Sequence, residues 1–384
     1  MLENTFVPAS ALIIILAKKL FIVALIFFLL ASSSLVVYNF VLPGFNKNDR
    51  DNGDEKKPLN LEIKQVSDKK AFSLTIDESG QSIKYYLKND GRVAKSNFDG
   101  SSSAVAQNTA LPDLYWAVWS PDKKKVLSFF KTPSAVKRYS FDYNSRQGVV
   151  LSENIKSAAF SPSGEKIVYQ YVKEQNQQND IAVANADTSN WKIIFQTRLE
   201  NLVVLWPRPD KIYLLDMPSG AKKGSLFSLS YPAGDFKKIV SDKFGFSAKI
   251  SPDGQKILYQ TTDERGKNLK LFVSDSGGDN ESPLPVATLA EKCVWSQDSQ
   301  NIFCAVPQKL SEFAIWPDDY SGGRITVKDD FYIIDTATNK KTKIAGSSDQ
   351  QTFDATELTL SPQEDYLFFI DRLAGFVYGI KLRI

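Results

Sequence analysis

A short phrase returns through this chain at a nearly constant interval. It reads Trp119-Ser120-Pro121-Asp122, Phe160-Ser161-Pro162-Ser163-Gly164, Ile250-Ser251-Pro252-Asp253-Gly254, Trp295-Ser296-Gln297-Asp298 and Leu360-Ser361-Pro362-Gln363. Degenerate copies stand at Ile76-Asp77-Glu78-Ser79-Gly80 and Trp206-Pro207-Arg208-Pro209-Asp210. Measured at the proline or its equivalent, the copies fall at 78, 121, 162, 207, 252, 297 and 362, and five of the six gaps are 41 to 45 residues. A period of about 40–45 residues is that of one four-stranded propeller blade.

The fifth repeat shows how such a blade reads. Phe246–Ile250 is the inner strand, and Ser251-Pro252-Asp253-Gly254 puts Pro and Gly where a β-turn wants them. Lys256–Thr261, Leu269–Asp275 and Pro285–Leu289 follow as the second, third and fourth strands. Their alternation and their Val, Ile, Phe and Tyr content suit half-buried strands, and an amphipathic helix pattern is absent after residue 45. The last repeat holds only three strands, Ala355–Leu360, Asp365–Asp371 and Phe376–Ile384. Ahead of the first repeat, Leu59–Val66 is an alternating strand without a partner in its own repeat. Placed as the fourth strand of the last blade, it completes seven blades and leaves no open sheet edge. The expected fold is all-β, a seven-bladed β-propeller over 59–384 closed by an N-terminal strand and preceded by one transmembrane helix.

That helix is expected at Leu20–Leu42, 23 residues interrupted only by Ser32–Ser34, Tyr38 and Asn39. At about 1.5 Å per residue such a run crosses a hydrocarbon core about 30 Å thick. Lys18 and Lys19 precede it, so residues 1–19 read as a short cytoplasmic segment and the rest of the chain as extracytoplasmic. A cleaved signal peptide with its apolar core at Leu20–Leu30 and a site at Ala31-Ser32-Ser33 is the rival, giving a secreted protein. The apolar run resumes to Leu42, which favours the uncleaved anchor in the cell membrane. Residues 43–58 are polar and charge-balanced, a flexible linker.

The repeat phrase resembles that of TolB-type propellers, the WD40-like or PD40 repeat, which also occurs in the propellers of prolyl oligopeptidase and tricorn-type proteases. The resemblance covers about residues 59–384 and implies an envelope-facing scaffold that docks partner proteins. It is specific for fold and weak for function. The chain departs from TolB in its apparent membrane tether and in having no room for a separate N-terminal α/β domain.

Several chemistries are excluded or lack their residues. The 384 residues contain no histidine, which removes histidine acid–base catalysis, Ser–His and Cys–His nucleophiles and histidine metal ligation. A net charge of +3 gives no basic footprint for nucleic acid. No Gly-x-Ser-x-Gly elbow domain follows the propeller, and the Asp-box of sialidases needs a different spacing from Ser251-Pro252-Asp253-Gly254. Calcium loops are missing, Asp142–Arg146 being the nearest approach. The sequence asks for no cofactor and no metal. Cys293 and Cys304 face each other if the sixth hairpin centres on Asp298-Ser299, at positions held elsewhere by Ala248 with Tyr259 and Ala158 with Tyr169. They can form a cross-strand disulfide or remain two buried thiols.

The period breaks in the sixth repeat, where 65 residues separate the copies and the excess falls around Pro307–Asp330. This insertion carries Trp316, Asp318, Asp319, Tyr320 and Arg324, a composition suited to an interaction hot spot. The rival reading packs Trp316 back on the blade. Loops on the same face add Arg138, Arg265 and Arg372 as expected partner-facing residues, beside Lys137, Lys222, Lys223 and Lys267. Strand order sends the tether out from the Ser-Pro-Asp-Gly face and turns the insertion away from the bilayer. The expectation is a non-catalytic module binding a protein or an envelope polymer. The alternative is a glycosidase-like hydrolase using Asp318 or Asp319 with a second acid.

Overall fold

The computed structural model describes residues 59–133, 135–173 and 178–382. Seven antiparallel four-stranded sheets are arranged as propeller blades, and six of them are built from consecutive strands. The seventh is composite, with Ala355–Leu360 inside, then Tyr366–Asp371 and Val377–Lys381, and Ile63–Gln65 as its outer strand. Ile63 lies opposite Ile380 and Gln65 opposite Tyr378, which is the closure expected from the sequence. Upstream of that strand, Leu59 and Leu61 donate their N–H groups to Lys343 and Ile344 of blade six. The N-terminal segment therefore stitches blade seven and also touches blade six.

The core lies between neighbouring blades. Phe303, Phe331 and Ile344 of blade six pack on Leu367, Phe369 and Ile380 of blade seven, with Ile63 against them. Ile83, Tyr85 and Leu87 of blade one pack on Phe368, Ile370 and Val377 of blade seven. No blade buries its own faces, so ring closure is what removes the last apolar surfaces from water.

The recurrent phrase has a specific bonding role. In blade five the Ser251 hydroxyl donates to Asp253 at 2.6 Å and accepts the N–H of Lys256 at 2.9 Å. Ser120 with Asp122 and Lys125, and Ser296 with Asp298 and Asn301, repeat the pattern. The fourth turn position is left-handed, with φ of 70° at Gly254 and 74° at Gly164. A Cβ at Gly254 would also stand 2.0 Å from Cδ of Arg208, the residue that makes the fourth copy degenerate. These turns join first to second strands and define a turn face. Second-to-third connections and the links between blades lie at the opposite, loop face.

One expectation needs correction. The outer strand of blade five is Ser282–Pro283 and not Pro285–Leu289. A tight turn at Asp275–Gly278 brings the chain back early, and Pro283 and Pro285 lack the N–H groups that would extend a ladder. Residues 285–289 instead lead inward, where Leu289 is buried. Among the described residues no helix is long and apolar enough to cross a membrane, and the expected anchor at 20–42 lies outside those residues with the linker that follows it. Among the described residues helix is limited to single turns at Ala290–Lys292 and Asp318–Ser321, too short to leave a periodic signal.

Cys293 pairs with Cys304 across the inner hairpin of blade six and the two are joined by a disulfide. The pairs Ala248 with Tyr259 and Ala158 with Tyr169 occupy the same register in blades five and three. Ser251 is fully buried, so Ser251→Ala leaves the Lys256 N–H without its acceptor. We expect a loss of about 1–3 kcal/mol, read as a lower urea midpoint. The same change at exposed Ser101 should cost less than about 0.5 kcal/mol.

Candidate functional site

The insertion between Pro307 and Asp329 is a strap that ties four blades at the loop face. Toward blade four, the Asp318 carboxylate accepts the N–H of Gly220 at 3.0 Å and the Ser219 hydroxyl at 3.2 Å. Toward blade five, the Trp316 N–H donates to the Gly266 carbonyl at 2.8 Å, and the Lys267 ammonium donates to the Ala314 carbonyl. Both glycines are required by proximity. A Cβ on Gly220 would stand 2.4 Å from the Trp316 carbonyl oxygen, and one on Gly266 would stand 2.6 Å from Cγ2 of Ile315.

Toward blades six and seven the strap sits on a buried charge cluster. Lys292 Nζ lies 2.8 Å from Asp329 Oδ2 and 3.0 Å from Asp354 Oδ1, and it also donates to the Tyr320 hydroxyl and the Ala355 carbonyl. The Tyr320 hydroxyl donates to Asp354 at 2.6 Å. All four side chains are withdrawn from water. Burial pushes the Asp329 carboxyl up to about 6, against the opposing pull of Lys292 and of the Ala355 N–H. Burial and the adjacent Asp354 push the Tyr320 phenol far up, so it stays a neutral donor. One oxygen of Asp329, Oδ1, has no hydrogen-bond partner.

This geometry corrects part of the expected site. Trp316 and Tyr320 are each only 2% exposed and cannot face a partner. They stack on each other and pack with Leu269, Leu289 and Val327. Arg372 donates to the Tyr320 carbonyl at 2.6 Å with its guanidinium 4.4 Å over the Tyr320 ring, so it clamps the strap. Asp319 accepts the Ile315 N–H and the Arg324 side chain, which together hold its carboxyl below the usual range. Arg138, on the third strand of blade two, turns back onto the Val136 carbonyl and joins none of these contacts. Arg324 and Arg265 remain exposed.

The exposed apolar side chains lie elsewhere on the same face. Phe313 at the strap's tip is 92% exposed and Ile315 beside it is exposed too. Met217 in the blade-four loop, Leu373 in the blade-seven loop, and Tyr115 and Trp116 at the loop-face end of the blade-two inner strand join them. Of ten exposed large apolar side chains among the described residues, these six share the loop face. Sequence reasoning singled out none of the six as partner-facing, although Phe313 and Ile315 lie in the insertion it marked, and it missed Lys292, Asp329 and Asp354. Glu291-Lys292 looks like an ordinary solvated pair until the ring brings the aspartates to it. Among the described residues no group of three or more acidic or cysteine side chains is placed to hold a metal ion.

No protein-family model and no curated protein matches the chain. Solved structures do. The oligogalacturonate lyase of Vibrio parahaemolyticus is similar over 84% of this chain and 94% of its own, at 10% identity and a TM-score of 0.58. The tricorn protease is similar over 86% of this chain and 35% of its own, at 14% identity and a TM-score of 0.53. The β-propeller domain of the Trilobed protease from Pyrococcus furiosus is similar over 82% of this chain and 95% of its own, at 13% identity and a TM-score of 0.53. At such identities the likeness establishes the propeller and nothing finer. That last propeller is described as having an open velcro topology, whereas this ring is closed by its N-terminal strand.

Lys292→Met would leave two carboxylates buried without their counter-charge. We expect a loss of about 3–5 kcal/mol at neutral pH and protease cleavage within 309–326. The Asp329 carboxyl already sits above its ordinary value, so its protonated form is favoured by folding. Its contribution is present at low pH and is lost as the pH rises through about 6. The melting temperature of Lys292→Met should therefore recover on acidification by more than that of the wild type.

Proposed function

We propose that the chain is a membrane-anchored, extracytoplasmic propeller that docks a protein or envelope-polymer partner on its loop face without covalent chemistry. The observation that carries this reading is the gathering of six exposed apolar side chains there, with Arg265 and Arg324 among them. Large apolar side chains on one face rimmed by charge are the signature of an interaction surface. The strap is rigidly held from below, so Phe313 and Ile315 are presented without a large ordering cost on binding. The closing strand runs from the turn face to the loop face, so the chain enters the ring on the side away from this surface.

Propeller scaffolds serve enzymes and binding modules alike, so the reading rests on this chain's own residues. The carboxylate-dependent hydrolase alternative asks for free acids at Asp318 or Asp319. Asp318 holds the Gly220 amide, and Asp319 holds the Ile315 amide and Arg324. Neither is placed as a free general acid.

A photo-crosslinking residue at position 315 or 217 of the full chain should give a discrete adduct in native membranes, and one at Trp191 on the turn face should not. Phe313→Ser combined with Leu373→Ser should weaken that adduct about 10- to 100-fold, given about 1.5–3 kcal/mol for each large apolar side chain buried. Adducts confined to the turn face, or indifferent to the double substitution, would overturn the assignment.

A further inference from the structure

At the turn-face end of the channel, inner strands of blades three to six wall a cavity of about 450 Å³. Ala159, Leu205 and Val294 form its sides, with the rings of Trp206 and Trp295, and Pro207 and Pro252 stand at its mouth. One titratable side chain lines it, Lys249. Its ammonium donates to the carbonyls of Cys293 at 2.6 Å and Glu291 at 3.3 Å. The buried ammonium of Lys292 has two aspartates and that of Lys84 has Glu78, but among the described residues no carboxylate forms an ion pair with Lys249.

A half-buried charge held only by carbonyl dipoles is under-compensated. Burial accordingly pulls this amine down to about 8, with only the distant Glu291 carboxylate opposing. The neighbouring charges are committed elsewhere. Arg208 at the mouth pairs with Asp210 and donates to the Asp253 carbonyl, the Asp253 carboxylate holds Ser251 and Gln255, and Glu357 on blade seven holds the Leu74 N–H. The two tryptophans add a second observation. The equivalent indole in blade two, Trp119, donates to the Ser73 carbonyl at 2.7 Å. The indole N–H groups of Trp206 and Trp295 are buried without any acceptor.

We infer that the turn-face end of the channel is a binding site for a carboxylate carried on an apolar or aromatic body, with Lys249 as its counter-charge. The walls take the body, and the ammonium donates to the carboxylate the one N–H beyond the two bound to carbonyls. The volume suits a group about the size of one substituted aromatic ring. Two sources share this chemistry, a free small acid and the C-terminal carboxylate of a polypeptide. The site lies at the end of the ring opposite the strap and stands independently of the loop-face reading.

Calorimetric titration of the full chain tests it with 3-phenylpropionate against 3-phenylpropanamide, and with N-acetyl-Gly-Phe as free acid against its C-terminal amide. We expect each acid to bind at least tenfold more tightly than its amide. Tighter binding by the peptide acid than by the free acid would assign the site to a chain terminus, and the reverse to a small molecule. Lys249→Met should abolish the preference for acid over amide while keeping the wild-type melting temperature or raising it, because it removes an unpaired charge. The wild-type pH profile gives the same test without a variant, since acid affinity should fall as the pH is raised from 7 to 10 while amide affinity stays flat. Equal binding of acid and amide, a flat pH profile for the acid, or no binding by either acid would overturn the proposal.

Discussion

Three backbone pairs hold this ring together. Ile63, Lys64 and Gln65 lie against Ile380, Gly379 and Tyr378, joining residues more than 300 positions apart. Each blade is a small sheet with two apolar faces, and such a sheet is marginal alone. Stacking buries both faces, but a linear stack would still end in two exposed ones. Closure lets blade seven cover blade one, where Phe368, Ile370 and Val377 meet Ile83, Tyr85 and Leu87. Its outer strand comes from the other end of the chain, and Val66 and Ser67 continue the junction by donating to the Val377 carbonyl. The two chemically distinct faces follow from this closure, since it fixes which connections lie together.

The repeat was legible because its requirement is local. A hydroxyl that binds both a carboxylate two residues on and an amide five residues on specifies Ser-x-Asp within one turn. That demand recurs at the inner-strand turns of blades two, five and six. The cysteine register was legible for the same reason, because turn length sets which residues face each other across a hairpin. The blade-five outer strand failed on a local detail of another kind, a tight Asp275 turn followed by two prolines.

The site was much less legible, and the reason is distance along the chain. Nothing within ten residues of Trp316 tells whether its ring faces solvent or Leu269, or that glycines at 220 and 266 leave room for the strap's backbone. Composition marked the insertion as unusual. It could not separate residues that anchor the strap from residues that the strap displays. Aromatic side chains with polar handles, such as Tyr320, suit either task, because the hydroxyl can satisfy a buried aspartate as readily as a partner's group. The purely apolar tip, Phe313-Ala314-Ile315, drew less attention, yet two of its three residues are the exposed ones.

Two lysines near the channel, the buried Lys292 and the half-buried Lys249, illustrate how one residue type does opposite work. Lys292 is surrounded by two aspartates, a phenol and a carbonyl, so removing any partner leaves a charge stranded, and the strap is fixed in one position. Such a cluster adds little net stability over an apolar core but penalises every other placement of the strap. Lys249 has carbonyl neighbours only, and its charge is compensated incompletely by the fold itself. An anion placed beside it would gain more than it would beside Lys292, where the counter-charge is already supplied. Saturation of the buried charge makes a rigid scaffold, and under-saturation of the half-buried one leaves free energy for a ligand to gain.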